Sequence, residues 1–89
     1  MKPKVTGVEK SEWLRGSRYV SVRIEWARGW CEAIKREGRG EKSASVNYNG
    51  GWFYPGDEGA LFEALRFAAQ IARRLDAGET ISEGEVYDG

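Results

Sequence analysis

The chain has 89 residues, 40% of them hydrophobic, with 14 Lys or Arg against 14 Asp or Glu; this fits one small domain with a modest core. That size leaves little room for a large cofactor cleft, and a formal net charge of zero argues against a conventional non-specific nucleic-acid binder, which is normally basic. Histidine is absent, which removes the commonest metal ligand and the side chain best placed for proton transfer near neutral pH.

The charge is unevenly distributed. Residues 1–42 carry 11 basic and 6 acidic side chains, a net of +5, while residues 43–89 carry 3 and 8, a net of −5. The acidic C-terminal segment, 76–89, holds Asp76, Glu79, Glu83, Glu85 and Asp88 and no basic residue. The single Cys31 excludes an intrachain disulfide and is compatible with a reducing compartment. No apolar run has the length of a signal-peptide core or a membrane span. The sequence therefore predicts a cytoplasmic protein that makes no membrane contact.

Residues 1–11 are polar, with Pro3 and Gly7, and fit either a mobile arm or a short edge strand at Val5 to Val8. Trp13 and Leu14 are expected to plug one end of the core. Residues 18–27 alternate: Val20, Val22, Ile24 and Trp26 point one way, Tyr19, Ser21, Arg23 and Glu25 the other, as in a half-buried strand. Arg28 and Gly29 suggest a turn. Residues 30–36 read as a returning strand, with Trp30, Glu32 and Ile34 on one face and Cys31, Ala33 and Lys35 on the other. A short helix is the rival there, because Glu32, Ala33 and Lys35 are good helix formers.

Residues 37–42 form a polar, glycine-containing loop that carries Arg39 and Lys42. Residues 43–49 predict another strand, with Ala44, Val46 and Tyr48 on one face. Asn49-Gly50 is a signal for a tight turn between antiparallel strands, and Trp52, Phe53 and Tyr54 are expected to form the strand that follows it.

The longest periodic stretch is residues 56–78. Leu61, Ala64, Leu65, Ala68, Ile71, Ala72 and Leu75 share a stripe of helical period. Asp57 is the expected N-cap, with Glu58 in the first turn, and Gly78 suits the position just past the last turn. Phe67 lies on the flank of the stripe and Phe62 well round its far side. Phe62 is either covered by a loop or the N-terminal arm, or left exposed as an anchor. Beyond the helix, Thr80, Ile81 and Val86 suggest one short strand at a sheet edge. The fold class is α+β: a three- to five-stranded antiparallel sheet packed against one main helix, in the order ββββα, with a short C-terminal strand as a variant.

Two binding functions compete. Four Trp, four Tyr and three Phe are many rings for so small a core. Aromatic residues are enriched at the centres of protein interfaces. This points to a non-enzymatic protein-binding module, an inhibitor or regulator that docks on a larger protein, one with a basic surface among the options, or that self-associates. Its candidate contacts are Trp30, Tyr48, Phe53, Phe62, Phe67, Glu79, Glu83 and Glu85. The alternative is a single-stranded nucleic-acid binder that stacks bases on a sheet face and holds phosphates with basic residues. Tyr19, Arg23, Arg28, Lys35, Arg36, Arg39 and Lys42 would form that surface.

Catalysis has little support. Cys31 lacks a histidine base, the acidic residues match no calcium loop, and Gly38 and Gly40 lack the surroundings of a phosphate-binding loop. No cofactor and no metal is expected.

Overall fold

Four strands follow one another along the chain: β1 (Lys4–Glu12), β2 (Arg18–Trp26), β3 (Gly29–Glu37) and β4 (Lys42–Gly51), and then one helix, α1 (Glu58–Asp76). The computed structural model describes residues 2–12, 18–37, 42–51, 55–56 and 58–89. Each strand pairs antiparallel with the next, so the sheet order is β1-β2-β3-β4 with the helix packed on one face. This is the expected ββββα order, but its first strand is residues 4–12; the fourth strand expected at Trp52 to Tyr54 lies outside the described residues.

The register explains which face is buried. Ile24 lies opposite Cys31, Val22 opposite Ala33 and Val20 opposite Lys35. Side chains of paired residues share a face, so this set points to one side. β1 adds Val5 and Val8, which pair with Ile24 and Val22. β4 adds Ala44, Val46 and Tyr48 in alternation. Helix α1 closes over this face with Leu61, Ala64, Phe67, Ala68, Ile71, Ala72 and Leu75 buried. Ala64 and Ala68 let the helix approach closely, with the Cys31 thiol 3.9 Å from the Ala64 carbonyl oxygen. Residues 30–36 are strand, not helix. Pairing with β2 on one side and β4 on the other overrides their local helix preference.

The helix ends as its sequence predicts. Gly78 has φ of 81°. The Gly78 amide donates to the Leu75 carbonyl at 3.0 Å and the Glu79 amide to the Arg74 carbonyl at 3.0 Å. These two bonds are a Schellman closure, which satisfies carbonyls the last turn would leave open. At the other end the Glu58 carboxylate accepts from the Gly56 amide at 2.8 Å. Asp57, Trp13, Leu14, Trp52, Phe53 and Tyr54 lie outside the described residues.

Several expectations need correction. Residues 4–12 are a full strand, not an arm, and extend beyond the Val5 to Val8 segment. A bulge between Val5 and Gly7 hides that strand in the sequence. It brings Val5 and Val8 to the same face although they are three apart, which breaks the period of two. Asn49-Gly50 is not a hairpin turn. Gly50 pairs with Trp30 and Gly51 with Gly29, so the strand continues, with the extra residue Asn49 taken up as an irregularity between Gly50 and Tyr48.

Phe67, expected as a surface contact, is only 4% exposed. The residue that covers it is Tyr87, whose ring centroid lies 5.6 Å away. Tyr87 belongs to the segment after α1, which returns along the edge of β1. The Val5 amide donates to the Glu85 carbonyl at 2.8 Å, Gly84 donates to Val5 at 2.8 Å, and Tyr87 donates to Pro3 at 2.9 Å. The expected C-terminal strand is reduced to one bridge, Lys4 with Val86. Ile81 and Tyr87 enter the core from this segment.

Candidate functional site

The sheet face away from α1 carries Tyr19, Ser21, Arg23 and Glu25 from β2 and Trp30, Glu32, Ile34 and Arg36 from β3, by the same alternation. Its polar groups contact one another. The Arg23 guanidinium sits 4.2 Å from the Trp30 ring centroid and 3.4 Å from a Glu25 carboxylate oxygen. The Ser21 hydroxyl donates to Glu32 at 2.7 Å. A shallow groove of about 300 Å³ on this side is lined by Glu9, Glu32 and Glu83 as well as Arg23. Of the basic set read from the sequence, Lys35 does not belong to this face. It is buried beneath α1, where its ammonium lies 3.0 Å from Asp76. Arg28 stands in the β2–β3 turn. Arg39 and the side chain of Lys42 lie outside the described residues.

The acidic C-terminal segment is largely engaged within the fold. Arg74 donates to Glu79 at 3.1 Å and to Glu85 at 2.7 Å. Glu85 also accepts from the Ser82 amide at 2.9 Å. The Arg74 hydrogen bond, then the Ser82 amide, hold the Glu85 carboxyl below the usual carboxylate range. The Ala44 amide and Lys35 do the same for Asp76. Lys35 with Asp76 joins the basic half of the chain to the acidic half, so folding interleaves part of the charge asymmetry. Glu83 remains exposed. Burial, with a lesser contribution from Glu32, pushes the Cys31 thiol up to about 11, which makes it a poor nucleophile. Among the described residues no three His, Cys, Asp or Glu side chains gather as a metal site.

A third surface is apolar. Phe62 is 63% exposed, Tyr48 40% and Val46 37%. The two strand residues point to the helix side of the sheet but lie on β4, the outermost strand. The Trp26 ring stacks against Tyr48 at 6.0 Å and supports it from the core side.

Phe62 stands on the side of α1 that borders β4, fourteen residues and about 21 Å along the helix axis from Asp76. Residues turn by about 100° each, so Phe62 lies only about 40° round the helix from Asp76. Asp76 accepts the β4 amide of Ala44 at 2.9 Å, which orients that flank of the helix toward β4. Leu65 and Ala69, both half-buried, lie on the same flank. These residues line a strip along the junction of α1 and β4, with Phe62 toward its Gly51 end and Val46 toward its Ala44 end, and among the described residues no strand pairs with the outer edge of β4.

The sequence singled out Phe62 and Tyr48 from this strip, but placed Leu65 on the core-facing stripe of the helix and read Val46 only as sharing a strand face with Ala44 and Tyr48. The signal it lacked was strand order: an inward-facing residue on an outermost strand is only half covered.

Among the described residues no helix is long and apolar enough to cross a membrane. Comparison of the chain with family models, with curated proteins and with solved structures finds no match.

Proposed function

We propose that this domain is a non-enzymatic protein-binding module that docks through the strip formed by Phe62, Val46 and Tyr48. The observation that carries this reading is the exposure of three large apolar side chains along the junction of α1 with β4, a strand whose outer edge no described strand pairs with. Such a surface offers two kinds of contact at once. The rings and the valine supply apolar area, and the strand edge supplies backbone donors and acceptors, the combination used in strand-addition recognition. The acidic segment contributes less than the sequence suggests, because Glu79 and Glu85 are held by Arg74.

Single-strand nucleic-acid binding is the weaker reading. Arg23 is already stacked on Trp30 and close to Glu25, and Glu9, Glu32 and Glu83 share its face. A photo-crosslinking side chain placed at position 62 tests the leading proposal in the source cell. The expected result is a protein adduct from position 62 that is absent when the same group replaces Glu63, an exposed neighbour off the strip. Equal labelling from both positions, or none from either, refutes it.

A further inference from the structure

We propose that β4 has two registers: its middle block, Ser45 to Tyr48, slides by one residue along β3, and Asp76 is the pin that favours the register described above. The slide turns Val46 and Tyr48 from the helix side of the sheet to its other face, and so removes them from the strip. It is a property of the chain by itself and goes beyond the protein-binding reading.

The pairing contains the slack for such a move. Within the block, Ser45, Val46, Asn47 and Tyr48 pair one for one with Ile34, Ala33, Glu32 and Cys31. On either side β4 carries one residue more than β3. Arg36 pairs with Lys42, so Ser43 and Ala44 together stand opposite Lys35, and Trp30 pairs with Gly50, so Asn49 is left over. Side chains alternate with a period of two, and one extra residue reverses the faces of all that follow. The block is therefore out of phase with both of its flanks. Regular pairing through Ser43 and Ala44 places Ala44 opposite Ile34, Val46 opposite Glu32 and Tyr48 opposite Trp30. Lys42 and Gly51 keep their partners. Gly50 gives up Trp30 and joins Asn49 as a two-residue excursion, and the Asn-Gly composition favours leaving the extended backbone.

Burial holds the block only weakly, because Val46 and Tyr48 are both partly exposed where they stand. On the other face Tyr48 exchanges its stack on Trp26 for a cross-strand pair with Trp30, a favourable kind of contact. Asp76 separates the two registers. Its carboxylate accepts the Ala44 amide at 2.9 Å and lies 3.0 Å from the ammonium of Lys35, the β3 residue that faces the irregularity. One side chain at the end of α1 thus clasps the surplus residue of β4 together with its β3 neighbour. The slide breaks the bond to Ala44.

Cys31, the only cysteine, reads the register. It lies opposite Tyr48 in the present register and opposite Asn47 after the slide. Side chains directly opposite one another are within disulfide reach, whereas the next residue along the strand points to the other face. Asn47→Cys and Tyr48→Cys are each loaded with an aromatic disulfide at the new, exposed thiol. Attack by Cys31 then closes an internal disulfide and releases the aromatic thiol, which is followed in time. Glu12→Cys, which lines up with Arg18 and Glu37 at the far end of the sheet, reports closure through global unfolding. Closure in Asn47→Cys is expected to be slower than in Tyr48→Cys and faster than in Glu12→Cys. Adding Asp76→Ala should speed it about tenfold or more, the worth of one hydrogen bond to a charged acceptor. Asp76→Asn, which keeps an acceptor for the Ala44 amide, should restore much of the slow rate. Closure in Asn47→Cys no faster than in Glu12→Cys overturns the proposal, even if Asp76→Ala does not fold. So does an Asp76→Ala effect that is absent, or that is equal in Asn47→Cys and Glu12→Cys. Crosslinking at position 62 is read on a different variant, so the protein-binding reading stands or falls separately.

Discussion

Replacing Tyr87 with alanine should destabilise the whole domain, although Tyr87 lies outside every strand and the helix. Its ring is 4% exposed and packs on Phe67 at 5.6 Å, and the Lys2 ammonium lies 5.8 Å from its centroid. An aromatic side chain buries roughly 150–250 Å², which at about 25 cal/mol per Å² corresponds to about 4–6 kcal/mol against a fully extended reference. A compact unfolded state and the retained Cβ lower this to about 3 kcal/mol, within the usual cost of truncating a buried ring. For a domain of this length, such a loss lowers the melting temperature by about 12–24 °C.

Thermal and urea unfolding followed by circular dichroism measure the effect. Tyr87→Phe keeps the ring and should retain most of the stability. A double-mutant cycle with Phe67→Ala should give a coupling of about 0.5–1.5 kcal/mol. A loss below about 1 kcal/mol for Tyr87→Ala, the level of an average substitution, would show that the segment after α1 is not part of the core.

Other outcomes follow from the charges, the helix end and the sheet. The Asp76 and Glu85 carboxyls are held below their unfolded values, so their contribution is complete above the ordinary carboxylate pKa of about 4 and is lost as pH falls through the folded values. Stability should therefore drop on acidification below about pH 4, and Glu85→Gln, assayed by urea unfolding at successive pH values, should flatten that drop. Gly78→Ala forces a side chain into a left-handed backbone and should cost about 1 kcal/mol, whereas Gly59→Ala, in open space on the helix, should stabilise by about 0.5 kcal/mol. Equal effects at the two positions in thermal melts would contradict the Schellman closure. Tryptophan fluorescence titrated with single-stranded DNA at low salt should show no saturable quenching; steep salt-dependent binding would restore the nucleic-acid reading.

What was legible in the sequence follows from how local each signal is. β2 announces itself through uninterrupted alternation from Tyr19 to Trp26, and α1 through its stripe and Gly78. β1 is obscured by one bulge, which places Val5 and Val8 in phase by adding a residue that the period of two does not contain. Asn49-Gly50 has the composition of a hairpin turn, yet the backbone uses it to extend β4 alongside Gly29 and Trp30. Phe67 appears marginal on the helix alone because its cover comes from Tyr87, twenty residues later. Lys35 looks like surface charge until the register places it beneath α1. The strip was half legible: the phase of Phe62 exposes it on any helix, but the exposure of Val46 depends on which strand is outermost.

Cys31 turns the helix–sheet contact into something that can be timed. Its thiol has no solvent exposure and sits under Ala64, so a thiol-reactive reagent reaches it only when α1 separates from β3. The chain contains no other cysteine, so each labelled molecule records an opening at this one place. Labelling without denaturant, divided by the rate for the same thiol in an unfolded chain, gives the equilibrium constant for that opening when closing is fast. The domain thus carries its own stopwatch for helix detachment, readable by mass without any added probe.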